Sequence, residues 1–127
     1  IFELNAARGC KKHNYNTIHN ETSWVQMRAT YIATVGPHQS TIKGVHGSGM
    51  QVPYKVGHSP GRGRGIYATA RIQKGTVVWK GEYTAAFSTG LQYRRFLASL
   101  PDAMACDMIN WCYTSRVRCS ALQLSFF

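Results

Sequence analysis

The stretch His58-Ser59-Pro60-Gly61-Arg62-Gly63-Arg64-Gly65-Ile66-Tyr67-Ala68 decides how this chain is read. Glycines alternate with two arginines, and a β-type run starts at Ile66. Thr69-Ala70-Arg71-Ile72-Gln73-Lys74-Gly75-Thr76-Val77-Val78-Trp79 follows, with a turn signal at Lys74-Gly75 and then a second β-type run. Glycine tolerates positive φ and lets a ligand approach bare backbone. Alternate glycines can leave several N–H groups converging on an anionic group. The pattern suggests a ligand-cradling loop between short strands rather than a helix or a linker.

Three common glycine-loop chemistries are excluded by spacing. The dinucleotide fingerprint needs G-x-G-x-x-G; with Gly61 and Gly63 as its first two glycines, the third place, three residues after Gly63, is Ile66. A phosphate loop needs Gly-Lys-Ser/Thr, which does not occur. A kinase-type loop needs the same G-x-G-x-x-G and a later His-Arg-Asp, which is also absent.

The block resembles the opening of a SET domain, the catalytic fold of most protein-lysine methyltransferases. That family opens with a basic-Gly-x-Gly loop, a hairpin of the type G-I/V-F/Y-A-x-x-x-I-x-K-G and an apolar strand. The counterparts here are Arg62-Gly63-Arg64-Gly65, Ile66-Tyr67-Ala68, Ile72, Lys74-Gly75 and Val77-Val78-Trp79. The likeness covers residues 58–83, weakens over 84–113 and is absent elsewhere.

The resemblance implies that the loop binds S-adenosylmethionine and that a protein lysine, on a histone for example, receives the methyl group. Carried over residue by residue, Arg62, Gly63 and Arg64 fall on cofactor-contacting positions, and Gly65 permits the turn. Guanidinium groups and backbone N–H donors suit the cofactor's carboxylate. Taken alone, the loop reads as a tight hairpin with solvated arginines; the flanking match favours cofactor binding or an evolutionary remnant of it. The acidic and aromatic pair that the family often carries after its second strand is matched only loosely by Glu82-Tyr83. A surface ion pair for Glu82 and a core position for Tyr83 are the simpler readings.

The departures lie in the family's second half. Its Asn-His-Ser core occurs nowhere in this sequence, and the last histidine is His58. The chain ends about where that half would begin, so it is expected to be the N-terminal half of such a domain, truncated and inactive by itself. No catalytic residue can be assigned. The cysteine-rich zinc flanks of the family are missing, and no metal site is expected.

Composition sets wider bounds. A chain of 127 residues, 44% hydrophobic, suits one small domain. No apolar run approaches a membrane span, so no membrane association is expected, and the location is expected to be nucleus or cytoplasm. No secretion signal is visible, although the first residue is Ile1 and a targeting segment can be missing for that reason.

The formal charge is +10, with +4 over residues 1–56 and +6 over 57–127. This gives the main alternative: a non-catalytic basic module for chromatin, nucleic acid or an acidic protein, with Arg62, Arg64, Arg71, Arg94 and Arg95 as its contact set. Cys10, Cys106, Cys112 and Cys119 form no C-x-x-C pair and are expected to be free thiols.

The elements follow from periodicity. Residues 1–52 read as a poorly structured basic leader, with a weak strand preference over 30–35 and a loop over 36–50. Strands are expected over 66–70 and 76–83. Tyr93, Phe96, Leu97 and Leu100 mark one face of a helix near 89–100, with Ser88 or Thr89 as cap and Pro101 as stop. A helical turn passing into a strand is expected over 104–113, and residues 114–127 form a divergent tail. The fold class is therefore expected to be β-rich α+β, a partial SET-like fold over 53–113 with one helix.

Overall fold

The computed structural model describes residues 2–114 and 122–125. The fold is α+β, but helix outweighs strand. α1 spans Phe2–Ala7, and a 3-10 turn covers Cys10–Lys12. α2 is Glu21–Val35, 15 residues long. β1 (Tyr54–Ser59) and β2 (Gly63–Ala68) form an antiparallel hairpin. β3 (Thr84–Phe87), α3 (Gly90–Ala98), α4 (Asp102–Trp111), β4 (Tyr113–Thr114) and β5 (Leu122–Ser125) complete the order. β5 lies between β3 and β4 in an antiparallel sheet.

The leader expected over 1–52 is corrected by α2. The Asn20 side chain caps it by accepting from the Ser23 N–H at 2.9 Å. Met27, Tyr31 and Val35 recur every four residues and enter the core. The β-branched residues that suggested a strand are accommodated because the Thr30 and Thr34 hydroxyls bond back to the Gln26 and Thr30 carbonyls at 2.9 and 2.7 Å. Burial of the 27/31/35 stripe outweighs the modest propensity penalty of β-branched residues. The loop expected over 36–50 contains no helix, and its one β-bridge among the described residues is Met50 with Trp79.

α3 matches its expected place. Thr89 caps it by accepting from the Gln92 N–H at 3.2 Å, and Gln92 Oε1 accepts from the Ser88 N–H at 3.0 Å. Tyr93, Phe96, Leu97 and Leu100 are all buried, while Arg94, Arg95 and Ser99 face solvent. Phe87 of β3 lies at the centre of an aromatic cluster, with ring centroids 5.2 Å from Tyr31, 5.3 Å from Tyr93 and 5.2 Å from Phe96.

Two strand expectations are corrected. Residues 76–83 form no strand: Trp79 alone pairs, with Met50, and Gly81–Tyr83 is a 3-10 turn. Val77, Val78 and Trp79 stay 57%, 42% and 41% exposed. An apolar run becomes a strand only with a partner ladder, and none of the other described segments supplies one here. Over 104–113 the helical turn is a full helix, α4, and the strand is only the two residues of β4. Much of the expected tail, including Phe126-Phe127, lies outside the described residues.

The side of β3 away from β5 is covered by side chains. The Tyr31 hydroxyl donates to the Ala86 carbonyl at 2.9 Å, and the Thr41 hydroxyl donates to the Thr84 carbonyl at 2.8 Å. The Ala86 N–H donates to Thr41 Oγ1 at 3.0 Å. Hydroxyls thus satisfy backbone groups that would otherwise form a bare edge.

Candidate functional site

The glycine stretch is not a loop between strands. Gly63 and Gly65 lie within β2, opposite Ser59 and Gly57, and the turn is Pro60-Gly61-Arg62. The Arg62 N–H closes it on the Ser59 carbonyl at 3.0 Å. Gly63 needs to be glycine for two reasons. Its φ is +82°, and a Cβ there would lie 2.6 Å from Asn16 Oδ1. The glycine therefore admits a side chain of the N-terminal segment as well as any ligand.

The two arginines part company. Arg62 is exposed at the turn and makes no side-chain bond to another described residue. Arg64 turns inward, and its side chain is 14% exposed. Its Nη1 donates to Asp107 Oδ2 at 2.9 Å and to the Thr17 carbonyl at 2.7 Å. Its Nη2 lies 3.4 Å from Oδ1. The same guanidinium sits 4.4 Å over the Trp111 ring.

Asp107 is the centre of the site, and its side chain has no exposed surface. His13 Nε2 reaches Oδ1 at 3.0 Å and His19 Nε2 reaches Oδ2 at 2.5 Å. An ionised carboxylate only accepts, so both Nε2 atoms carry the proton. Burial alone would raise this carboxyl, but the hydrogen bonds from Arg64, His19 and His13 and the Arg64 charge together hold it below the usual carboxylate range. A carboxylate so placed is stable only with partners, and the cluster supplies three.

The N-terminal segment is pinned beside this cluster. Arg8 Nη2 donates to the Ala98 carbonyl at 2.7 Å, and its Nη1 donates to the Leu100 carbonyl and Asp102 Oδ1, both at 2.8 Å. A cation thus closes the C-terminal end of α3. Cys10 and Cys106 form a disulfide with Cα atoms 5.4 Å apart, next to Asp107. The expectation of free thiols is corrected for this pair; Cys112 is free and Cys119 lies outside the described residues. Burial pushes the Cys112 thiol up, against a hydrogen bond with Tyr93 that acts the other way.

Between the pinned segment and β2 lies a cavity of about 520 Å³. Arg62, Gly63, Arg64 and Gly65 all border it, with Ile66 and Val56 on the hairpin side. Tyr15, Asn16, Ile18, His19 and Trp24 border it from the N-terminal side, and Asn110 and Trp111 from α4. The Trp24 and Trp111 indoles are stacked, 9° apart with centroids at 6.4 Å. The surroundings are mainly apolar, with an exposed cation at the rim and two amides within reach.

The four residues singled out from sequence therefore come together on one cavity. Asp107, His13, His19, Trp24 and Trp111 had no assigned role in the sequence reading. Asp107 carried one legible signal: a lone acid inside the apolar run Met104–Tyr113, which a folded helix must pair. Glu82 lies 3.8 Å from Lys43 Nζ and Tyr83 is buried, as the simpler readings had it. Arg71, Arg94 and Arg95 are exposed, whereas Arg64 is withdrawn from the surface set that would meet an acidic partner.

Among the described residues, no cluster of His, Cys, Asp and Glu is arranged to hold a metal ion, and no helix is long and apolar enough to cross a membrane. Comparison with protein-family models, with curated proteins and with solved structures finds no match for this chain.

Proposed function

We propose that the chain is the cofactor-binding half of a SET-type protein methyltransferase and that its cavity takes S-adenosylmethionine. One observation carries this: the four residues matched to the family's cofactor loop, Arg62 to Gly65, border a single cavity with two indoles. The volume lies in the range of about 300–1,000 Å³ typical of cofactor sites. An apolar, aromatic body with few polar groups fits an adenosyl group, and the exposed Arg62 fits an amino-acid carboxylate at the rim. Arg64 is a structural anchor through Asp107 and plays no part in holding that carboxylate. When bound, the cofactor supplies an electrophilic methyl group for a deprotonated lysine amine.

The chain's own contribution is to bind and orient. Transfer requires the sulfonium methyl and the amine to be held in line, and the family's Asn-His-Ser segment, whose Asn-His pair positions the adenosyl part, is absent from this sequence. A histone or other protein lysine as acceptor, and a nuclear or cytoplasmic location, belong to the same proposal. The test is calorimetric titration with S-adenosylmethionine of the chain and of Arg62→Ala. Saturable binding weakened about tenfold in the variant is expected, as for loss of one charge-assisted hydrogen bond. No binding by the folded chain would remove the proposal.

A second function has specific support: Arg62, Arg71, Arg94 and Arg95 are exposed on a chain of charge +10. Under this alternative the chain is a non-catalytic basic module for an acidic partner, nucleic acid among them. Steep loss of binding with salt distinguishes it from cofactor binding.

A further inference from the structure

Trp24 and Trp111 differ from the aromatic residues of the core. Tyr31, Phe87, Tyr93 and Phe96 are 0–1% exposed, whereas both indoles are only half-buried and face the cavity. Core packing explains one side of Trp24, through contact with the buried cluster, and leaves its cavity side unexplained, whereas Trp111 stacks on Trp24 and carries the Arg64 guanidinium over its ring. The wall is rigid. Trp111 is covered by the Arg64 guanidinium, which Asp107 holds, and His19, held by the same carboxylate, meets Trp24 edge-on at 5.7 Å. Beside the indoles stands Asn110, exposed, its side-chain amide bonded to no other described residue. An indole face stacks on any nucleobase, but an Asn amide, donor and acceptor together, pairs best with the N6/N7 edge of adenine.

We infer that Trp24, backed by Trp111, and Asn110 form an adenine-binding wall of this cavity, so that the N-terminal segment supplies part of the ligand site. The inference rests on the cofactor proposal for the cavity but is tested apart from it, with adenosine, which has no carboxylate and no sulfonium.

The measurement is indole fluorescence of the full chain titrated with adenosine, guanosine and S-adenosylhomocysteine. Adenosine is expected to quench saturably, and guanosine to bind at least about tenfold more weakly, the discrimination of one bidentate amide. Trp24→Ala is expected to weaken adenosine about tenfold, as for loss of one base–aromatic stack. Trp24→Phe keeps a ring and is expected to stay within a few-fold.

Should Trp24→Ala fail to fold, Asn110→Ala, with its exposed side chain, makes the same comparison. Adenosine binding that depends on Trp24, with S-adenosylhomocysteine no tighter, keeps the wall and removes the cofactor proposal. S-adenosylhomocysteine bound at unchanged affinity by Trp24→Ala and Asn110→Ala removes the wall and keeps the cofactor. No response to adenosine from a folded chain, or equal affinity for guanosine, overturns the inference.

Discussion

Arg64, from the glycine hairpin, donates to the buried carboxylate of Asp107 at 2.9 Å, so the arginine that sequence placed on a ligand is held instead by the protein. His13 and His19 share the same carboxylate. Replacing Asp107 with Asn keeps the shape and removes the charge that Arg64 needs. Asp107→Asn is expected to cost about 3–5 kcal/mol, the penalty for breaking a buried ion pair. Urea unfolding of the two proteins measures it; a loss below about 1 kcal/mol would mean that Arg64 finds water or another partner.

Acid should act through the same group. Its carboxyl is held below the usual range in the folded state, whereas the unfolded value is about 3.9. The folded state thus binds fewer protons than the unfolded state across that window. The cluster's contribution is fully present above about pH 4 and is lost as pH falls from there through the folded value. A stability-against-pH curve should fall below about pH 4 in the wild type and fall less steeply in Asp107→Asn. Parallel curves would exclude Asp107 as the source.

The disulfide closes a loop with a sequence separation of 96. Cys106→Ser is expected to lower stability by about 4 kcal/mol, most of it through the unfolded chain. Thiol titration of the unfolded, unreduced protein should find Cys10 and Cys106 unreactive. Reactive thiols at both positions would show the bond unformed under those conditions, as a reducing compartment would also leave it.

Two glycines of the hairpin give an internal comparison. Gly61 has φ +70° and nothing within 4 Å of the place a Cβ would occupy, while Gly63 has φ +82° and Asn16 Oδ1 at 2.6 Å. Gly61→Ala should cost only the left-handed backbone penalty, about 1 kcal/mol, and Gly63→Ala should exceed it, at about 2–3 kcal/mol. Equal losses in chemical denaturation would mean that Asn16 moves aside without cost.

Thr89→Ala is expected to cost about 1 kcal/mol, because the Gln92 N–H loses its acceptor. Thr89→Ser should recover most of it in the same thermal melt. A melt unchanged in Thr89→Ala would show that water replaces the cap.

Local signals read true where they were self-contained. The Thr89 cap, the Tyr93/Phe96/Leu97/Leu100 stripe and the Pro101 stop all lie close together in the chain, and α3 follows them. The strand expected over 66–70 overlaps β2, but its partner is β1, which had no signal in the sequence reading, and not residues 76–83, and the glycines lie in the strand. The candidate site was half legible. Arg62 to Gly65 do border one cavity, but the opposite wall comes from Tyr15 to Trp24, in a segment with no periodicity to read. Asp107 acquires its partners from 43, 88 and 94 residues away, and spacing along a sequence carries no record of such contacts. The β-branched end of α2 misled because propensity is weak beside the burial of Met27, Tyr31 and Val35.

Arg8 bonds to a carbonyl 90 residues further along the chain, which has a consequence for the order of folding. Contacts across such a separation require a large loop to close before they contribute. The α3–α4 corner is built from neighbours and can form early; the N-terminal segment that docks on it comes late. Mutations in that segment, at Arg8 or His13, should therefore speed unfolding while leaving the refolding rate nearly unchanged. The cavity wall is then the last part of the molecule to assemble and the first to come away.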